Sequence, residues 1–433
     1  MKRAKNQLLR RSLAGMLGAA LLWACSPETK TELLVNEEEE LSAPLVHIPA
    51  HMLHAASSPE MSAQAAEEGP IQLKKDQWIA LDVEVPEAGR YQLRLSGEVT
   101  GTDSLSIWVE DYYDNPDDRT YDISGKMHLA SGAGAQEVSV DGSPLRAGMH
   151  KMKVHVDQGE IALEYLQFLL LVPHKKSENV LEQRTSGTEW TLVWSDEFDG
   201  DEIDESKWTY DIGNWGWGNN ELQYYTANRP ENARLLNGHL IIEARKEAAG
   251  PHPWTSARLT TRGKVAFKYG KIEFRAIVPK SRGNWAAGWT LGNTYVDEKD
   301  WPYCGEIDIL ESVGYEIDPE TGAGTAHATV HTPAYYFKIG NQIGAEKRVA
   351  DMANEFQTYA VEWTPTSITM LVNDTPYYTY DKIADEREWP FHTPQDIILN
   401  LAIGGGWGGA KGLDPNMEVE QFILDYVRVY EKR

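Results

Sequence analysis

Apolar and polar residues alternate with a period of two through most of this chain. Trp78-Ile79-Ala80-Leu81-Asp82-Val83-Glu84-Val85, Tyr91-Gln92-Leu93-Arg94-Leu95 and Leu105-Ser106-Ile107-Trp108-Val109 are three such runs, and Met152-Lys153-Val154-His155-Val156 and Ile161-Ala162-Leu163-Glu164-Tyr165-Leu166 are two more. Successive side chains of a strand point to opposite faces, so each run predicts a half-buried strand. Gly-containing turn signals at 87–89, 100–102, 141–142 and 157–159 punctuate them. Short strands with regular punctuation predict a β-sandwich over residues 70–173. The pattern resumes near Trp190. Leu240-Ile241-Ile242-Glu243-Ala244, Lys271-Ile272-Glu273-Phe274-Arg275-Ala276 and Ser367-Ile368-Thr369-Met370-Leu371-Val372 read as strands, and Asn373-Asp374 fits a tight hairpin turn. No helix of three turns with a clean apolar stripe stands out. The fold class is therefore all-β, with a smaller sandwich before a larger one at 188–433.

The remaining segments lack this period. Lys2, Arg3, Lys5, Arg10 and Arg11 precede an apolar run over 13–24, too short to span a bilayer but suited to a signal peptide at 1–24. Residues 25–69 are polar, with the acidic run Glu37 to Glu40 and an Ala- and Ser-rich part, and predict a flexible tether. Residues 174–187 are polar and mixed in charge, and predict an interdomain linker.

The chemistry concentrates in Gly305-Glu306-Ile307-Asp308-Ile309-Leu310-Glu311. Three acids interleaved with Ile and Leu suit a strand over a core rather than a solvated charge run. Glu306 and Asp308 share one face. Glu311 falls on the other unless one β-bulge after Asp308 turns it back, and bulges are common beside active sites. Three carboxyls on one cleft wall suit glycoside hydrolysis, which needs one anion and one protonated acid. Crowding helps to set those states: an ionised Glu306 raises the pKa of Glu311, and Asp308 can share a proton with Glu306. The alternative is an edge strand with a chance acidic face.

Trp301-Pro302-Tyr303-Cys304-Gly305-Glu306-Ile307-Asp308-Ile309-Leu310-Glu311-Ser312-Val313-Gly314 resembles the active-site strand of family 16 glycoside hydrolases, in the bulged spacing of the laminarinase (endo-1,3-β-glucanase) branch. Gly216-Trp217-Gly218-Asn219-Asn220-Glu221-Leu222-Gln223-Tyr224-Tyr225, Thr255-Ser256-Ala257-Arg258-Leu259-Thr260-Thr261, Lys268-Tyr269-Gly270-Lys271-Ile272-Glu273 and Asp425-Tyr426-Val427-Arg428-Val429-Tyr430 agree with it. The resemblance implies a catalytic β-jelly roll that cleaves β-1,3-glucan internally with retention. It implies Glu306 as nucleophile, Asp308 as its hydrogen-bonding partner and Glu311 as general acid/base. It implies sugar contacts from Asn219, Asn220 and Arg258, and stacking on Trp285 and Trp289. Ala286 and Gly288 stand where laminarinases usually carry Pro and Phe, which leaves linkage preference open. The resemblance needs no cofactor for catalysis. It implies a structural calcium at Glu197, Gly238 and Asp425, whose scattered oxygens suit that ion. Residues 70–173 are similar to family 6-like carbohydrate-binding modules, with Trp108, Tyr112 and Tyr113 beside Asp111, Asp114 and Asn115 as a sugar platform; core packing is the alternative.

Other candidates come from position. Trp301 precedes the catalytic strand and can wall the cleft. Thr325-Ala326-His327-Ala328-Thr329-Val330-His331 alternates as a strand, with His331 near the acids and no Glu after His327 as a metallopeptidase needs. Gly404-Gly405-Gly406-Trp407 lacks the Lys-Ser/Thr of a phosphate loop and instead presents Trp407. Leu22-Trp23-Ala24-Cys25 resembles a bacterial lipobox, with Trp23 in place of the usual small residue. It implies acylation of Cys25, a membrane anchor, and an exported lipoprotein of the outer membrane or cell surface.

Charge narrows the partners. The chain has 66 Asp and Glu against 41 Lys and Arg. That balance excludes nucleic acid and suits an uncharged polymer. With only Cys25 and Cys304, no disulfide is expected. A galactan (agar, carrageenan or porphyran), a mixed-linkage glucan, transglycosylation, and a glucan-binding protein without turnover remain as alternatives.

Overall fold

The computed structural model describes residues 45–112, 120–132 and 134–433. Cys25, and Tyr113, Asp114 and Asn115 of the expected sugar platform, lie outside the described residues.

The first sandwich packs a five-stranded sheet on a six-stranded one. Gly89–Val99 and Glu160–Pro173 are central in one, Trp78–Val85 and Gly148–Gln158 in the other. Their inward residues, Leu81, Val83, Leu93, Leu95, Val154 and Leu166 among them, form one buried core. The alternation seen in the sequence is this inward and outward facing.

Two boundaries differ from expectation. The stretch 45–69 is not tether. Leu45–Pro49 pairs antiparallel with Glu160–Pro173, and Pro59–Ala65 is a short helix whose Met61 is buried. A five-residue strand whose partner lies more than a hundred residues away leaves no local period to read, and a helix of about two turns leaves little more. Nor is 174–187 a free linker. Val180–Glu182 runs parallel to Ala266–Lys268, and buried Ser177 donates to Asp396 at 2.6 Å.

The second sandwich packs a nine-stranded sheet on a ten-stranded one. Seven strands of the nine position the site: β1 (Thr209–Tyr210), β2 (Arg258–Thr260), β3 (Asn284–Gly292), β4 (Glu306–Val313), β5 (Gly324–His331), β6 (Ile343–Val349) and β7 (Gln395–Ile403). They lie side by side in the order β1-β2-β7-β3-β4-β5-β6. Ile307, Ile309 and Leu310 of β4 point into the core with Phe274, Val361, Trp363 and Phe422 of the opposite sheet. Gly288 on β3 also faces that core. A Cβ there would come within 2.3 Å of the Phe274 ring, so a large aromatic from the other sheet fills the space. The departures at Ala286 and Gly288 thus alter the packing under β3 and not the cleft surface.

The two sandwiches meet over a polar seam. Arg146 grips Asp297 through Nε at 2.8 Å and a terminal nitrogen at 2.7 Å, and reaches Asp300 at 3.0 Å. Lys299 pairs with Asp111 at 2.8 Å. Asn214 and Asp141 exchange hydrogen bonds, and Tyr224 donates to Asp141 at 2.5 Å. Asp297 and Asp111 are each about 3% exposed in their side chains, so these charges are withdrawn from water and must be paired.

Candidate active site

The three acids are brought to one face by a change of register in β4. Against β3, Leu310 pairs with Gly288 but Asp308 pairs with Trp289; against β5, Asp308 pairs with Thr329 but Glu311 pairs with His327. One extra residue on β4 is the bulge expected after Asp308, and it returns Glu311 to the side of Glu306 and Asp308. All three line one cleft of about 1130 Å³. That volume exceeds the common range for a single small ligand and leaves room for several sugar units.

Each acid has different partners. Glu306 Oε2 accepts from Trp301 Nε1 at 2.9 Å, and Glu311 Oε1 accepts from Trp285 Nε1 at 3.1 Å. His331 Nε2 lies 3.6 Å from Glu306 and 3.4 Å from Asp308. Burial and the neighbouring Glu306 and Glu311 charges push Asp308 far above the usual carboxylate range, so it carries a proton that it donates to Glu306. Burial, then the charge of Glu311, pushes Glu306 up to about 8; the Trp301 N–H and the Arg258 charge oppose this. Burial pushes Glu311 up to about 7, opposed by Trp285. The three titrate as one set. The rise of Glu306 to about 8 includes repulsion from an ionised Glu311; while Glu311 keeps its proton that repulsion is absent, and the Trp301 N–H, the Asp308 proton and the Arg258 charge make Glu306 the seat of the negative charge. Burial pushes His331 down to about 4, leaving a neutral ring beside the acids.

The structure places every expected sugar-contact residue on the cleft wall: Asn219, Asn220, Arg258, Trp285, Trp289, Trp301, His331 and Trp407. Arg258 is sandwiched between the rings of Trp217 and Trp289, 4.6 and 4.8 Å from their centroids, and its Nε donates to Asp211 at 3.0 Å. Burial would raise the pKa of Asp211, but Arg262, Arg258 and Arg90 outweigh it and keep the group an anion. Trp301 sits on Tyr336, Phe337 and His331. Trp285 meets Trp407 edge to face, and Trp407 meets His327. His327 itself lies 2.7 Å from Glu316, one step away from the acids. Asn219 donates to Glu221, which is buried and holds the loop through Gln223 as well. The Gly-rich segment works by close approach: Gly404 and Gly405 have φ of +73° and +74°, and a Cβ on Gly404 would strike Leu222 at 2.6 Å.

Sequence reasoning passed over several wall residues. Trp217 lies inside the motif quoted above, two residues before Asn219. Asn400 accepts from Trp289 Nε1 at 2.8 Å, and Asp211 anchors Arg258. Neither stands in a motif that marks it. Trp108 and Asp111, expected on a sugar platform of the first sandwich, are committed elsewhere. Trp108 stacks on His155 at 4.4 Å with Lys126 over its ring, and Asp111 is buried with His150 and Lys299.

Strand pairing gathers Glu197, Gly238 and Asp425 where the end of Trp190–Asp196 and the start of His239–Arg245 meet along the interior strand Val419–Lys432 of the ten-stranded sheet. Asp196 pairs with Val427, and His239, next to Gly238, has Nδ1 3.2 Å from Asp425. Glu197 is bound by Arg428 at 2.7 Å and Asp425 by Arg275 at 2.5 Å. The oxygens suit calcium, and an ion there would displace both guanidinium groups.

Comparison with known proteins agrees with this geometry. The family model described as glycosyl hydrolases family 16 matches residues 219–427. A β-glucanase of Rhodothermus marinus is 48% identical over 254 residues, covering 56% of this chain and 85% of that protein. A glucan endo-1,3-beta-glucosidase of Cryptopygus antarcticus is 37% identical, over 55% of this chain and 91% of its own. The crystal structure of the Rhodothermus marinus laminarinase superposes with a TM-score of 0.52 at 48% identity, over 56% of this chain and 98% of that one.

Proposed function

The chain belongs to glycosyl hydrolase family 16 and is a glycoside hydrolase; from that premise we propose that it cleaves β-1,3-glucan internally with net retention. The observation that carries the reading is the bulged strand that turns three carboxyls into one aromatic-walled cleft.

The Glu306 carboxylate attacks the anomeric carbon while Glu311 gives its proton to the departing glycosidic oxygen. The Glu306–carbon bond forms as the carbon–oxygen bond breaks. Water then enters, Glu311 takes its proton, and the oxygen replaces Glu306 on the same face from which the sugar left. Asp308 donates to Glu306 and withdraws charge from it as it becomes a leaving group. Neutral His331 fills the space beside both without adding a cation. Asn219, Asn220 and Arg258 supply hydrogen bonds to sugar hydroxyls, and the cleft-lining rings of Trp285, Trp289, Trp301 and Trp407 supply stacking.

Incubation with laminarin, lichenan, agarose and carrageenan in parallel tests the substrate. Oligosaccharides are expected from laminarin, with the rate falling at least about 10³-fold in Glu306→Gln. Products from a galactan alone would overturn the glucan reading and keep the chemistry. Tight binding without products would favour a recognition protein.

Two further elements of the reading stand apart from catalysis. Calcium held by Glu197, the Gly238 carbonyl and Asp425 is expected to raise the melting temperature by several degrees, reversed by a chelator; equal melting in both conditions removes the ion. Acylation of Cys25 would tether the enzyme to a membrane surface. Full-length protein made in a bacterial host should then partition into detergent, and Cys25→Ser should not; equal partitioning rejects the anchor.

A further inference from the structure

The cleft crosses the strands of its sheet. From β6 to β1 it spans seven strands, or roughly 29 Å at about 4.8 Å per step. On the Arg258 side the sheet ends at β1, but the cleft does not. Gly89, Arg90, Pro144 and Pro173 of the first sandwich line the same cavity, with Lys175 at its rim. We propose that this end is a distal sugar-binding subsite built jointly by the two sandwiches, taking β-linked glucose residues remote from the scissile bond. The proposal rests on the glucanase reading given above.

The wall is fixed on both sides. Arg90 lies on the strand Gly89–Val99 with its guanidinium 6.0 Å over the ring of Trp217, the residue that also stacks on Arg258. Gly89 lies so close to the neighbouring strand that a Cβ would come within 2.5 Å of the Val172 carbonyl, so backbone forms the wall there. Opposite, a Cβ on Gly263 would sit 3.0 Å from that of Lys175. The seam behind is held by the bidentate Arg146–Asp297 contact and the Lys299–Asp111 pair. Asp297 belongs to the loop that carries Trp301, so the same clamp ties the first sandwich to the residue that donates to Glu306. A binding module on a free tether would show none of this. Cationic donors beside flat proline and tryptophan surfaces suit the hydroxyl-rich, apolar-faced chain of a glucan.

The test is kcat/KM across β-1,3-gluco-oligosaccharides of increasing length, for the full chain, Arg90→Ala and Lys175→Ala. The readout is the ratio of the longest to the shortest cleaved substrate. The full chain should gain with each glucose until the substrate reaches the seam. Arg90→Ala should lower the ratio about 10-fold, the loss expected for a charged hydrogen-bond donor, and Lys175→Ala by a smaller factor. Should Arg90→Ala lower the melting temperature, Lys175→Ala at the exposed rim carries the test alone. An equal ratio in all three proteins refutes the subsite and leaves the glucanase reading standing. Turnover of no length refutes both.

Discussion

Two indole N–H groups divide the work between Glu306 and Glu311. Trp301 serves Glu306 and Trp285 serves Glu311. The Trp285 hydrogen bond stabilises the Glu311 anion and so holds its pKa below what burial alone would set. Since the first step needs Glu311 protonated, activity should fall as pH rises through about 7. Trp285→Phe removes the donor and keeps a ring in the cleft. The alkaline limb of kcat/KM should then move to higher pH by about 1, the amount that a charged hydrogen bond is worth. A limb that stays in place, or moves to lower pH, would show that Glu311 does not set it. At this scale much was legible in the sequence. Acids interleaved with Ile and Leu announced a buried wall, and the tryptophans and Asn219 lay in recognisable motifs. Asp211 and Asn400 were not legible, because each matters only through a partner distant in sequence, Arg258 or Trp289.

The bulge in β4 is the element on which the site depends. Without it, strand parity would send Glu311 to the core face, beside Ile307 and Ile309. It could be anticipated because the chemistry required three acids on one side and the spacing alone did not provide it. The strand Leu45–Pro49 could not be anticipated, since its edge position is set by Glu160–Pro173 and not by its own pattern. The helix Pro59–Ala65 follows it and buries Met61. A chain begun at Pro70 loses both, together with buried Ile48 and Ala50. It should melt roughly 5–10 °C below a chain begun at Ala43, given the apolar burial removed. Equal melting temperatures would return 45–69 to the role of a tether.

Across the whole molecule, two sandwiches that the sequence presented as separate units share a cleft. Nothing local marks the seam: Arg146 and Asp297 lie in different sandwiches, and each reads alone as an ordinary surface charge. The acidic balance of the chain suits an uncharged polymer, and the cleft carries both signs, with the Arg258–Asp211 pair on its wall. Glu306 as nucleophile means a covalent glucosyl intermediate, formed and broken on one anomeric carbon, and product stereochemistry reports this directly. Proton NMR recorded through the first minutes of laminarin cleavage follows the anomeric signals of the new reducing ends before they equilibrate. The β anomer should appear first and the α anomer later by mutarotation. The α anomer appearing first would mean inversion by direct attack of water, and would contradict the assignment of Glu306 as nucleophile.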